Sequence, residues 1–340
     1  MVSGAMIDFS RAFEKAWQRM AVILFQPFDV AKWGLIGFNA FLAGLAEGNV
    51  SFNNPVSLNN EKTQYHFNSL PDALKAFKDF RTWVGTLPDN PWLKVILCVA
   101  AACVVIWLVL SWVGCRGEFV FLDNIVRNRA ALAWPWQRYA RAGNVWFLFD
   151  LGLFLISGLF AALAAGVFFL LNWRWIDAAR DPDATELATL VFAALVIFVL
   201  GLLGATIRFL VQSLVLPLYF RQTTSLIGSL LAVLALVFNR PLSIFVYLVI
   251  SLLIQIAAGL ISCVVVVAAC CVTCWASCYP FIGALLLSLI LCELLLPVLV
   301  FERCFQLGCL EEFGPEYNVF SVDLAPPGAG PALSPPPPPG

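Results

Sequence analysis

Six stretches of the chain carry almost nothing but apolar residues, at 31–47, 92–114, 145–171, 187–212, 242–268 and 280–300. Each approaches the length of about 20 residues that crosses roughly 30 Å of hydrocarbon as an α-helix. The pattern therefore predicts an all-α, polytopic transmembrane bundle of about six spans. The first stretch is short and carries Lys32, whose stem can return its ammonium to the headgroup layer. The fourth has the opposite difficulty. Positions 188–220 are apolar except for Arg208 and Gln212, and a straight helix that long overshoots the bilayer. It must tilt, kink near Pro217, or continue into the interface.

Between the spans the pattern turns amphipathic. Phe9, Ala12, Phe13, Ala16, Trp17, Met20, Ala21 and Leu24 recur on one helical face, with Arg11, Glu14, Lys15, Gln18 and Arg19 opposite. This predicts an interfacial helix lying in the headgroups. The segment 70–84 repeats the design, with Ala73, Phe77, Phe80 and Val84 set against Asp72, Lys75, Lys78 and Asp79, Ser69 as a cap and Pro71 in the first turn. It belongs to a first outer loop, 48–91, whose earlier part is Asn- and Ser-rich and irregular. Asn49-Val50-Ser51 in that loop fits a glycosylation sequon, a match that chance alone explains. The transmembrane domain is expected over 1–325, followed at 326–340 by a disordered or polyproline tail ending in Pro335 to Pro339. Such a tail is either simply solvated or a ligand for an aromatic groove.

Lys and Arg set the expected orientation. Arg11, Lys15, Arg19 and Lys32 flank the first span, Arg116, Arg127, Arg129, Arg138 and Arg141 fill the second connection, and Arg208, Arg221 and Arg240 mark the fourth. The third connection, 172–187, holds only Arg174 and Arg180 against four acids, and the fifth, around 270–278, carries no charge. The Arg-rich side is expected to be cytoplasmic, with both termini on it, in a cell membrane. The first residues lack a cleavable signal pattern and no lipidation motif is present, so the amino terminus is expected to stay attached.

Composition narrows the class. Hydrophobic residues make up 61% and charged residues 12% of 340 positions, far from the balance of a soluble globular domain. A net charge of −1 with no basic stripe excludes nucleic acid as the expected partner. The lipid bilayer is the primary partner, with another membrane protein or a second copy of the chain as open additions.

The even-numbered spans end alike. Leu108-Val109-Leu110-Ser111 leads to Arg116, Leu214-Val215-Leu216-Pro217 to Arg221, and Leu294-Leu295-Leu296-Pro297 to Arg303. A stretch of helical character then runs to Pro135, Pro241 and, more loosely, Pro315, as the first helix runs to Pro27. This suggests a unit of interfacial helix, proline break, outward span and inward span, used three times with a last half-unit at the carboxyl end, related by an axis along the membrane normal.

At these residues a resemblance enters. Arg116-Gly-Glu-Phe-Val-Phe-Leu-Asp-Asn with Arg129-Ala and Pro135-Trp136, and Leu296-Pro297-Val-Leu-Val-Phe301 with Arg303 and Phe313-Gly314-Pro315-Glu316, resemble a family of uncharacterised prokaryotic multi-pass membrane proteins. More distantly, the plan is similar to the membrane domain preceding the catalytic part of some glycerophosphodiester phosphodiesterases. The resemblance implies fold and location, and no reaction.

Candidate chemistry is sparse. His66 is the sole histidine, so one chain cannot build a histidine pair, a triad or a histidine-based zinc site. No strand precedes a Gly-rich phosphate loop. Cys271, Cys274 and Cys278 have spacing compatible with a disulfide or a metal, yet their Val- and Ala-rich flanks equally suit small packing residues. Arg208, Gln212 and Glu293 are the candidate intramembrane polar site. Their alternative role is as helix glue, with Arg208 snorkelling and Glu293 paired to it or to a hydroxyl. Arg127, Arg129, Arg138 and Arg141, interleaved with aromatic residues, are candidate contacts to anionic headgroups.

The expectation is a non-enzymatic structural, scaffolding or interaction component of the membrane, without cofactors. The alternative is a small-molecule or ion transporter or channel using the intramembrane polar residues.

Overall fold

A computed structural model describes residues 8–47, 92–178, 184–222, 225–272 and 288–321, and every element in them is helical. The elements are α1 (Phe9–Phe25), α2 (Val30–Glu47), α3 (Trp92–Val126), α4 (Ala133–Arg138), α5 (Ala140–Ala178), α6 (Ala184–Leu210), a π-helical turn (Val211–Val215), α7 (Leu216–Gln222), α8 (Leu226–Asn239), α9 (Pro241–Val272) and α10 (Leu296–Phe313). A short helical segment at 288–294 precedes α10, and two 3-10 turns follow it.

Four helices are long and apolar enough to cross a membrane: Leu97–Val126, Ala140–Phe168, Leu187–Arg221 and Pro241–Val265. They account for four of the six predicted spans. The first predicted span forms as α2, a shorter apolar helix. The last lies partly outside the described residues, and its end at 288–294 breaks at Leu295, just before Pro297. The outer loop at 48–91 with 70–84, Asn49 and His66, the tail, and Cys274 and Cys278 also lie outside the described residues, as does the side chain of Cys271.

Burial is confined to one end of the long helices. In α3 the apolar side chains from Leu97 to Val109 are largely exposed, whereas Cys115, Phe119, Val120, Leu122 and Ile125 are buried. In α5 the order is reversed along the chain, with Ala142 and Trp146 buried and Phe154 to Leu163 exposed. Val191 to Ile207 of α6 are exposed and Leu214 to Phe220 buried, and α9 buries Ile244 and Tyr247 but exposes Leu252 to Val264. The helices are thus packed where their Arg-rich ends meet and apolar-surfaced beyond. That is the distribution expected when lipid replaces protein as the covering of the far half.

Two prolines set the ends of this layer. Pro217 cannot donate to the carbonyl four residues back, and the turn before it widens into the π-helix Val211–Val215, a standard relief for such a mismatch. The overlong fourth run, Leu187–Arg221, enters the buried layer here, with Val211 and 213–220 buried. Pro297 sits in the first turn of α10, where its missing N–H costs nothing. α10 then runs through the middle of the layer, burying Val300, Cys304, Phe305, Leu307, Cys309 and Leu310.

α1 docks on protein along one face. Asp8 caps it by accepting from the Arg11 amide at 3.2 Å. Its small apolar face, Ala12, Ala16, Met20, Ile23 and Leu24, is buried, and the helix packs on α10. Gly308 permits the approach, because a methyl there would lie 3.3 Å from the Ala12 carbonyl oxygen. Lys15 reaches Glu311 at 3.3 Å and Glu312 at 3.2 Å across the contact. Burial works against the Lys15 ammonium, but the two carboxylates together outweigh it and raise its pKa. Phe13, Trp17, Val22 and Phe25 stay exposed on the rest of the helix. The helix predicted to lie in the headgroups thus docks one face on protein and leaves these apolar residues on its surface.

α2 packs along α3. A methyl on Gly114 would overlap the Ala46 backbone, and one on Gly117 would stand 2.7 Å from the Leu42 carbonyl carbon. These small positions let the two backbones touch, as close helix pairs in membranes require.

Candidate functional site

The most polar buried place is the end of α3. Asn128 adopts a left-handed conformation, φ 48°, which Asn tolerates better than most residues. The Asn128 amide then donates to the Ile125 carbonyl at 3.4 Å and the Arg129 amide to the Asn124 carbonyl at 3.1 Å. This is a Schellman closure of the helix. It folds the chain back so that Arg129 meets Asp123, which Arg127, four residues on, already faces along the helix.

Asp123 has no exposed surface. Its Oδ2 accepts from Arg129 through Nε at 2.9 Å and Nη2 at 2.5 Å, and its Oδ1 accepts from the Tyr139 hydroxyl at 3.1 Å. Arg127 Nε forms an ion pair with Oδ1 at 3.0 Å. Both oxygens are thereby occupied by donors, which is what a buried carboxylate needs to remain charged. Beside it the Asn124 amide clasps the Ala131 backbone in both directions at 3.0 Å, and Asn39 of α2 donates to the same Ala131 carbonyl at 3.3 Å. Lys32 donates to Asn128 Oδ1 at 2.9 Å. Trp134 lies under the Arg129 guanidinium at 4.3 Å. Burial, with the Asp123 carboxylate second, pushes the Tyr139 phenol up to about 12.

Three hydrogen bonds and a second guanidinium engage this carboxylate, and the tyrosine beside it is far from losing its own proton near neutral pH. The node joins α2, α3, α4 and the connection between α3 and α4.

The predicted headgroup set divides by exposure. Arg127 and Arg129 are both engaged by Asp123, their side chains 17% and 25% exposed. Arg138 and Arg141 are exposed.

The predicted intramembrane trio is also dispersed. Arg208 pairs with Asp150 of α5 at 3.3 Å, and Glu293 makes no ion pair with it. Asp150 wins because α5 and α6 are neighbours and its carboxylate stands at the matching height. The pair lies where the buried layer gives way to exposed apolar surface. Gln212 is half-buried within the π-helical turn. Glu293 rests against α2 at Gly37, where a methyl would overlap its carboxylate, and its backbone carbonyl accepts from Trp33 Nε1 at 3.4 Å.

Sequence reasoning missed Asp123, Asn39 and Tyr139 as partners. The signal available was an Asp-Asn pair five residues before Arg129-Ala within a buried helix end. Two further thiols, Cys304 and Cys309, are buried in α10. Burial raises both, Cys304 to about 12, which makes them inert packing groups. Among the described residues no three His, Cys, Asp or Glu side chains gather as a metal cluster.

No curated protein and no solved structure matches the chain, and no link to a glycerophosphodiester phosphodiesterase is found. The node falls within the reach of one family match, and by that match over residues 8–320 the chain belongs to a family of unknown function, DUF7544.

Proposed function

We propose that the chain is a multi-pass membrane protein of six spans that acts as a non-enzymatic scaffold, its packed layer lying on the cytoplasmic side and offering that layer to lipid and to other membrane proteins. The observation that carries this reading is how the ionisable groups are spent. Asp123 is saturated by Arg127, Arg129 and Tyr139, Asp150 is taken by Arg208, and Lys15 binds Glu311 and Glu312. Groups committed to one another rigidify a bundle and are not free to carry a proton or an ion.

The three-unit plan has support in the same layer. The ends at 114–125, 211–220 and 296–310 each enter it, and each brings its arginine, Arg116, Arg221 or Arg303. Arg221 donates to the Glu316 carbonyl, tying two of these ends together.

Glu293 favours the second reading, a transporter or channel. Among the described residues its carboxylate has no hydrogen-bond or ion-pair partner, only the Gly37 surface of α2. Reconstitution separates the two. Proteoliposomes of the scaffold should show no proton- or cation-dependent flux, and Glu293→Gln should leave stability near wild type because the amide keeps the shape. A flux that disappears in Glu293→Gln at unchanged stability establishes the transporter.

A further inference from the structure

The Arg116 guanidinium is held in the layer without a carboxylate among the described residues. Arg116 of α3 donates through Nε to Asn144 Oδ1 at 3.0 Å, and the same oxygen accepts from Trp112 Nε1 at 3.0 Å. The guanidinium carbon lies 4.4 Å from the Trp112 ring centre and 5.4 Å from that of Trp136, the two rings being edge to face at 87°. Gly143 makes room, since a methyl there would stand 2.8 Å from Arg116 Cγ. The side chain is thus held by an amide on one edge and two indoles on its faces, with its terminal N–H groups directed away from Nε.

Among the described residues no carboxylate lies within ion-pair distance of it. Glu118, two positions on, does not share its helix face and is buried, and Asp150 is taken by Arg208. Arg141 is exposed one turn before Asn144 on α5 and adds a second cation to the same face. The height is informative too. Val104, Val105, Ile106 and Val109 above the site are exposed and apolar, whereas Cys115 and Phe119 below it are buried. Arg116 therefore stands where hydrocarbon would meet headgroup, with tryptophans at the level such rings prefer.

We propose that Arg116, held by Trp112, Trp136 and Asn144 and seconded by Arg141, binds the phosphate of an anionic phospholipid. A planar guanidinium fixed on one edge presents its other edge to a phosphodiester as a two-pronged donor, and a free soluble phosphate would gain nothing from the apolar wall above it. The inference rests on the membrane-spanning reading and not on the scaffold role.

The test uses the full chain in nanodiscs of phosphatidylcholine containing a minority of phosphatidylglycerol, with co-purified lipid counted by mass spectrometry after gentle extraction. Wild type should retain phosphatidylglycerol over phosphatidylcholine by roughly tenfold, equivalent to about 1.4 kcal/mol. Arg116→Gln should lose most of that preference, and Arg116→Lys and Asn144→Ala should lose part of it, because charge without the fixed fork is a poorer clamp. Those two also carry the test if Arg116→Gln does not fold. Arg11→Gln, which removes an exposed cation of α1, should match wild type. Equal retention in the Arg116 and Arg11 variants overturns the proposal, as does inorganic phosphate displacing the lipid. A chain that enters no nanodisc overturns the membrane reading beneath it.

Discussion

Asp123 and Arg129, six residues apart on either side of a helix end, meet through two guanidinium nitrogens on one carboxylate oxygen. The Schellman closure at Asn128 brings them together, so local backbone geometry and charge pairing depend on each other. Asp123→Asn should cost about 3 kcal/mol, near the lower end for breaking a buried pair, because both arginines keep some contact with solvent. Thermal unfolding in a fixed detergent measures it. A variant as stable as wild type would show that the node contributes nothing net.

The same node should give an alkaline signature. Tyr139 is pushed up to about 12 by burial and by Asp123, against about 10 for a free phenol. The raised value means that the folded state prefers the neutral phenol. That preference is fully present below about pH 10 and is lost as pH rises through about 12. Tyr139→Phe should be less stable near neutral pH by about 1 to 2 kcal/mol, for the lost bond to a charged acceptor, and should show a flatter decline across that window. Parallel stability curves for the two proteins would refute the assignment.

Two glycines of the α2–α3 pair should behave oppositely. Gly114→Ala places a methyl on the Ala46 backbone, which cannot yield as a side-chain tip can, and should destabilise by about 1 to 3 kcal/mol. Gly34 of α2 has nothing within 4 Å of a built methyl, so Gly34→Ala should be neutral or stabilising by up to about 1 kcal/mol. Similar losses in both would mean that the glycines serve flexibility and not approach.

What the sequence made legible follows from which forces have a period. The apolar runs of α3, α5, α6 and α9 are one-dimensional signals, as is the break before Pro217 and Pro297. The partner of each amphipathic face is a tertiary fact. Ala12 and Ala16 on α1 suit a lipid surface as well as a neighbouring helix, and only α10, nearly 300 positions later, decides between them. Arg127 stands four residues after Asp123, a spacing that pairs charges on a helix face, but nothing in the spacing of Arg129 announces a left-handed Asn128. Asp150 and Arg208 illustrate the same limit, since two helices must be adjacent before either residue has a partner.

Sidedness is the remaining expectation with a direct test. The packed layer collects α1, the end of α3, α4, α7, α8 and α10, and with them Lys15, Arg116, Arg221 and Arg303, so these segments share one face. Lys and Arg near span ends are retained on the cytoplasmic side, and the outer connection at 172–187, beyond the described side chains, is comparatively acidic. Gln18 and Arg138 are exposed positions on the packed side. In a cysteine-free background, cysteines placed at 18 and 138 should be protected in intact cells from a membrane-impermeant maleimide and react after permeabilisation, whereas one at 180 should react at once. Because α5 is long and apolar enough to cross a membrane between 140 and 168, positions 138 and 180 cannot lie on one side if it crosses. Labelling of both from the same side would remove α5 as a span, and the six-span arrangement with it.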